Sequence, residues 1–181
     1  MIKPWKKIKE IKLQVGFRKL LKKTFLLPGG KQTEFVINNE GRTVCILALT
    51  SDQRVILAKQ FRAGPEKVLL ELPGGHVESR ESPRQAAQRE LKEETGYKGQ
   101  LKYIGPSLHS AYSTLIRHNF IALNCEKIAN PQNESDEITE VQLMSLEEFK
   151  KHLRSGLLSD MGTGYRALDY LNLLFAHRPR R

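Results

Sequence analysis

Residues 75–97, GHVESRESPRQAAQRELKEETGY, constrain this chain more than any other stretch. From position 84 to 94 there is neither proline nor glycine, and Ala86, Ala87 and Leu91 recur at helical spacing among polar residues, which predicts an amphipathic helix. On it Glu90, Glu93 and Glu94 stand at i, i+3 and i+4 and share one face. Carboxylates crowded within one turn repel one another unless a cation or an arginine sits among them. Glutamates at this spacing also occur on ordinary solvated helices, so the spacing of the whole segment matters more than the three acids alone. Arg89 can hold a carboxylate in a fixed fork, and Glu81 lies on the approach to the helix. Gly74 and Gly75 allow a tight turn whose carbonyl can come close to a metal. Hard oxygen donors in this number suit Mg²⁺ or Mn²⁺. Zinc is not indicated, since Cys45 and Cys125 are far apart and neither has a second cysteine nearby.

The rest of the chain predicts an α/β fold. Residues 43–58 read as a hairpin of two mostly buried strands around a polar turn at Ser51, Asp52 and Gln53. Further strands are expected over 68–72, 102–104, 116–123 and 137–144. Ser145 and Glu148 form a capping box that opens a helix over 145–154, and apolar residues at helical spacing predict a last helix over 165–175. A mixed sheet with helices on both faces, an α/β/α sandwich, follows from this order.

With 181 residues the chain suits one domain of ordinary size. The expected division is a basic N-terminal segment over 1–24, a main domain over 25–176 and a basic tail over 177–181. Two unspaced cysteines suit a reducing compartment, and no apolar run is long enough for a membrane span, so a cytoplasmic location is expected. The formal net charge of +10 gathers at the two ends and would steer an anionic substrate. No interleaved aromatic platform accompanies the lysines, so no nucleic-acid partner is expected.

The segment fits the pattern G-x5-E-x7-R-E-U-x-E-E-x-G-U, with U a bulky apolar or aromatic residue, through Gly75, Glu81, Arg89, Glu90, Leu91, Glu93, Glu94, Gly96 and Tyr97. It resembles the Nudix hydrolases, which hold divalent cations that bridge a substrate diphosphate. The resemblance implies Mg²⁺ at Glu90 and Glu94, with Glu93 and the Gly75 carbonyl contributing, and Arg89 and Glu81 orienting them. Gln60, Phe61 and Arg62 followed by the run from Glu71 to Gly75 look like the branch that hydrolyses ADP-ribose and nucleoside diphosphate sugars. There the arginine faces the phosphates and the glutamate lies near the metals, which assigns Arg62 and Glu71. The run from Phe25 to Gly30 looks like that branch's N-terminal hairpin. His109 and Tyr112 lie in the loop after Pro106, where a substrate lid or sugar pocket would form.

One departure concerns the general base. The branch commonly carries a glutamate in the loop after this 75–97 segment, the box, whereas LHSAYSTLIRHNF, 108–120, has no acid. Glu93 with the metal cluster is therefore expected to activate water, with Asp160, Glu137 and Glu140 as other candidates and His109 as challenger. The resemblance also implies a homodimer in which residues 5–24 pack against or cross to the partner. Ile8, Ile11, Leu13, Val15, Phe17, Leu20 and Leu21 are too many apolar residues for a free basic tail. The expected activity is Mg²⁺-dependent hydrolysis of nucleoside diphosphate sugars of the ADP-ribose or GDP-mannose type. Hydrolysis of nucleoside triphosphates, dinucleoside polyphosphates or RNA 5′ ends is the alternative, and a catalytically silent nucleotide or RNA sensor is the third.

Overall fold

The computed structural model describes residues 2–132 and 138–175. They form two compact units. The first holds the described residues up to Arg42 together with Leu108–Ile116, and the second holds those of 43–107 and from 117 onwards.

In the first unit, β1 (Lys6–Val15), β2 (Arg18–Leu26) and β3 (Gln32–Asn38) form an antiparallel meander. Aliphatic residues alternate with polar ones along β1 at Ile11, Leu13 and Val15, the period of an extended strand. Leu13 lies opposite Leu20, and Ile11 opposite Lys22. Pro28, Gly29 and Gly30 make the turn into β3, closed by the Gly30 N–H donating to Leu27 O at 3.1 Å. Trp5 stacks on Phe35 at 6.1 Å, Tyr112 stacks on Phe35 at 6.2 Å, and Phe25 meets Trp5 and Phe35 edge-on. The 108–116 segment is tied in by Asn38, whose N–H donates to Tyr112 O and whose carbonyl accepts from Thr114, both at 2.9 Å.

The second unit is built on a mixed six-stranded sheet in the order β6-β5-β4-β8-β7, with β9 paired to β5. The elements are β4 (Arg42–Thr50), β5 (Val55–Arg62), β6 (Lys67–Glu71), α1 (Pro83–Thr95), β7 (Tyr97–Leu108), β8 (Ile116–Lys127), β9 (Glu140–Met144), α2 (Leu146–Arg154) and α3 (Met161–Tyr170). Side chains alternate across β4 because successive Cβ atoms point to opposite faces. Val44, Ile46 and Ala48 pack with Ala86, Ala87 and Leu91 of α1, while Cys45, Leu47 and Leu49 pack with Phe149 and Leu153 of α2 and Ala167 and Leu168 of α3. Both faces of the sheet are thus covered, which explains why β4 is a continuous apolar run. Each fully buried side chain of that size stabilises the fold by roughly 1.5–3 kcal/mol. Among the described residues no helix is long and apolar enough to cross a membrane.

The hairpin of β4 and β5 and the helix after Ser145 stand where the sequence puts them. The last helix does not: it runs over Met161–Tyr170, so it starts and stops earlier than the expected 165–175. Gly162 and Gly164 look like breakers, but Gly164 is there for contact, since a Cβ on it would lie 2.9 Å from Leu153 Cδ1 and 3.3 Å from Leu158 Cδ2. β7 is likewise much longer than 102–104, because Gly99, Gly105 and Pro106 mask a strand that the ladder supports. The strand expected over 137–144 begins at Glu140; Glu137 and the 177–181 tail lie outside the described residues.

α2 starts on a reciprocal cap. The Ser145 N–H donates to Glu148 Oε2 at 2.9 Å, and the Glu148 N–H donates to Ser145 Oγ at 3.3 Å. Replacing Ser145 by Ala should cost about 1 kcal/mol, a fall in Tm of about 2–4 °C for a chain of this size. Calorimetric melting of the variant checks this, and an unchanged Tm would show that the cap contributes nothing.

Candidate active site

α1 begins with Ser82 as N-cap in a capping box with Gln85, carries Pro83 in its first turn, and ends at Gly96, whose N–H donates to Lys92 O at 2.8 Å. The helix thereby holds Arg89, Glu90, Glu93 and Glu94 in fixed register. Arg89 makes five hydrogen bonds, as many as its guanidinium has N–H donors. Nε and Nη2 each reach the Glu81 carboxylate at 3.1 Å, Nη1 reaches Glu90 at 2.8 Å and Glu93 at 2.9 Å, and Nη2 also reaches His76 O at 2.9 Å. The bond to Glu81, followed by those to Glu93 and Glu90, holds the guanidinium proton affinity well above its ordinary value. The same pairing lowers the Glu81 carboxyl.

Residues 73–76 are laid along β4. Pro73 O accepts from Ile46 N–H at 2.9 Å, Gly75 O accepts from Val44 N–H at 2.8 Å, and His76 bridges Thr43. This docking brings Gly75 against α1 so closely that a Cβ on it would lie 2.6 Å from Glu90 Cδ. A side chain there would have to push the Glu90 carboxylate aside. The Gly74 N–H donates to Glu94 Oε2 at 2.8 Å, which turns that carboxylate toward the same loop. A cavity of about 280 Å³ opens beside these groups, lined by Glu78, Arg89, Glu90, Glu93, Glu94, Gln132 and Thr139. Size does not identify the site, since a cavity of about 510 Å³ lined by Leu91, Lys92, Lys98, Leu101 and Glu126, among others, holds none of the box carboxylates.

The donor set suits a hard divalent cation, because it offers carboxylates and backbone carbonyls with no histidine or cysteine side chain among them. Among the described residues no three acids converge as a ready coordination shell. Their oxygens are instead engaged by Arg89 and the Gly74 N–H.

Arg62 and Glu71, predicted from the run before the box, come together on β5 and β6. Arg62 Nε donates to Glu71 Oε2 at 2.5 Å and Gln60 Nε2 donates to it at 3.1 Å. Glu71 is buried among Leu70, Leu72 and the sheet, so the pair explains how a carboxylate stands there. Asp160 pairs with Arg117 at 2.7 Å, and burial raises its carboxyl above the ordinary range. Glu140 is exposed and pairs with Lys59 at 2.9 Å. His109 and Tyr112 belong to the first unit, where both are exposed and Tyr112 stacks on Phe35.

Residues 39–160, more than half of the chain, match the NUDIX domain. The chain belongs to the Nudix family. It is 34% identical over 150 residues to an ADP-ribose pyrophosphatase of Bacillus subtilis, covering 81% of this chain and 80% of that one. It is 31% identical over 151 residues to a CMP-5'-(N-acetyl-N-hydroxy-3-aminopropyl)phosphonate hydrolase of Streptomyces rubellomurinus, covering 81% and 72%. A crystal structure of an ADP compounds hydrolase superposes with a TM-score of 0.80 at 16% identity, over 95% of this chain and 96% of that one, which shows the shared fold. This Nudix protein is a pyrophosphohydrolase that acts on the phosphoanhydride bond of a nucleotide-containing diphosphate.

Sequence reasoning did not find Glu78, Gln132 and Thr139 on the cavity wall, nor the bond from Ser159 to Glu71. Glu78 and Gln132 carry no periodic signal, Thr139 reads only as one side of a strand, and Ser159 is 88 residues from its partner.

The Nudix clamp has a direct test in Arg89→Lys. Lysine has three donors on one nitrogen and cannot span Glu81, Glu90, Glu93 and His76 O together. The variant should lose about 1–3 kcal/mol of stability, read as a lower urea midpoint with an unchanged slope. An unchanged midpoint would show that the clamp is not needed to hold the acids.

Proposed function

We propose that this Nudix hydrolase splits the diphosphate linkage of nucleoside diphosphate sugars of the ADP-ribose or GDP-mannose type, releasing a nucleoside monophosphate and a sugar phosphate. The observation that carries the reading is the carboxylate-lined cavity around Arg89, in the same unit as the Arg62–Glu71 pair. The resemblance to an ADP-ribose pyrophosphatase supports the choice of substrate class.

Glu90, Glu93, Glu94 and the Gly75 carbonyl would hold Mg²⁺, with Mn²⁺ as a substitute. When bound, such a cation supplies Lewis-acid stabilisation of the diphosphate and lowers the pKa of a bound water. Gly75 O already accepts from Val44, and its second lone pair remains for another partner. Arg89 and Glu81 hold the acids in register. Arg62, whose Nε is taken by Glu71 while its side chain stays 42% exposed, presents its remaining donors to a phosphate. Glu93 is the more exposed of the clamped acids at 38%, so it is the one best placed to release Arg89 and take a proton from water. His109 and Tyr112, both exposed in the first unit, remain our candidates for contact with the base or sugar. A cytoplasmic location fits the two free, buried cysteines, Cys125 being pushed up to about 11 by burial.

Products identified after incubating ADP-ribose, GDP-mannose, nucleoside triphosphates, dinucleoside polyphosphates and capped RNA with Mg²⁺ decide the substrate class. Faster release of nucleoside monophosphate from a nucleotide sugar than from any other member supports the reading. Preference for a triphosphate or capped RNA sinks it. With that substrate, Glu94→Gln and Glu93→Gln should each lower kcat by ~10²-fold or more with the fold intact, while His109→Ala changes kcat by less than about threefold. The reverse order for Glu93 and His109 would make the histidine the base.

The same proposal includes a homodimer joined through the first unit. Ile11, Leu13, Val15, Leu20 and Val36 share one face of the three-stranded sheet by register, and β1 leaves one edge unpaired. Light scattering at micromolar concentration should return twice the mass of the 20.7 kDa chain. A monomer rejects the dimer and leaves the chemistry standing.

A further inference from the structure

The loop between α2 and α3 meets the Arg62–Glu71 pair, although nothing in the family pattern gives it a part. Leu158 is buried in the core shared by β4, β5 and the two C-terminal helices. Asp160 pairs with Arg117 of β8 at 2.7 Å, and Thr163 Oγ1 donates to Asn119 Oδ1 at 2.6 Å. Residue 159 is therefore fixed from both sides. Ser159 itself is exposed, yet its hydroxyl donates to Glu71 Oε1. Asp160 Oδ2 lies 3.4 Å from the same hydroxyl, and since a hydroxyl has one proton the nearer acceptor, Glu71, takes it.

The consequence lies in which oxygen each donor uses. Glu71 Oε2 accepts from Arg62 Nε and Gln60 Nε2, and Oε1 accepts from Ser159. With donors on both oxygens the carboxylate plane cannot turn about its Cγ–Cδ bond. The direction from which Arg62 Nε approaches is then set, and with it the plane of the guanidinium. Without Ser159 the carboxylate keeps its two donors on one oxygen and can swing.

We propose that Ser159 is a positioning residue for Arg62: acting through Glu71, it fixes the guanidinium that meets the substrate's diphosphate. This rests on the reading above that Arg62 faces the phosphates. The alternative is a tie that merely fastens the loop to β6, which would affect stability without affecting anion binding.

A double-mutant cycle separates them, because groups acting through one chain of bonds are not additive. The probe is inorganic pyrophosphate in the presence of Mg²⁺, with binding measured by calorimetry on wild type, Ser159→Ala, Ser159→Thr, Arg62→Ala and the Ser159→Ala/Arg62→Ala pair. Ser159→Ala should weaken binding about 3- to 10-fold, a fraction of what a charged hydrogen bond is worth. Ser159→Thr, which keeps the hydroxyl at an exposed position, should restore it, and Ser159→Ala should add almost nothing once Arg62 is gone. Wild-type binding in Ser159→Ala, losses in the two single variants that multiply in the pair, or no effect of Arg62→Ala overturns the proposal. Because pyrophosphate carries no sugar or base, failure of the nucleotide-sugar reading shows separately, as absence of ADP-ribose and GDP-mannose turnover. The KM for whichever of these two is cleaved should rise in Ser159→Ala with kcat little changed.

Discussion

Arg89 is the constraint on which the rest of the site depends. Glu90 and Glu93 on one helical face, with Glu81 brought in from the preceding loop, would repel at these distances. The guanidinium answers this with geometry as well as charge. Its donors are spread in a plane, so it can take Glu81 in a fork on one side and divide Nη1 between Glu90 and Glu93 on another. The bond to His76 O then ties the helix to the loop that precedes it. Helix, loop and acids are thereby held in one arrangement, with the acid oxygens engaged by Arg89 and the Gly74 N–H.

The parts of this arrangement that were legible in the sequence are those whose chemistry repeats at fixed offsets. The glutamates and Arg89 stand on one helix, so their spacing in the chain is their spacing in space. Glu71 and Arg62 were legible for a different reason, as the run before that helix that resembles one branch of the family, and the fold pairs the two. The β4 and β5 hairpin and the cap at Ser145 were equally local. Ser159 carries no such mark: it touches Glu71 across 88 residues, and only the folded chain brings them together. His109 and Tyr112 were read from loop position alone, which assigns a neighbourhood but no partner.

Errors in the element boundaries have a common physical cause. Gly162 and Gly164 reduce helix propensity, yet α3 starts before them because Gly164 admits the side chains of Leu153 and Leu158. Tertiary packing outweighs about 1 kcal/mol of propensity per glycine. β7 continues through Gly99 because residue 99 has no side chain to collide with Cys125 Sγ beneath it. The N-terminal strands were hidden by charge: Lys6, Lys7, Lys9 and Lys12 look like a basic tail until Ile11, Leu13 and Val15 are read at a period of two.

Small residues decide how near the helix can come to the sheet, and that distance decides whether a site exists at all. α1 meets the sheet through Ala86 and Ala87, both fully buried, with Leu91 as the one large side chain in that contact. Alanines keep the helix axis close, and the close axis carries Glu90 to within contact of the Gly75 backbone. A larger residue at either alanine would have to be absorbed by displacement, since cores of this density do not yield to added methylenes without strain. The displacement would widen the gap between Glu90 and Gly75 and stretch the bonds from Arg89 to Glu81 and His76 O, which lie on the preceding loop. The small residues of the loop and of the helix thus serve one end: they let the Gly75 backbone and the Glu90 carboxylate approach one another.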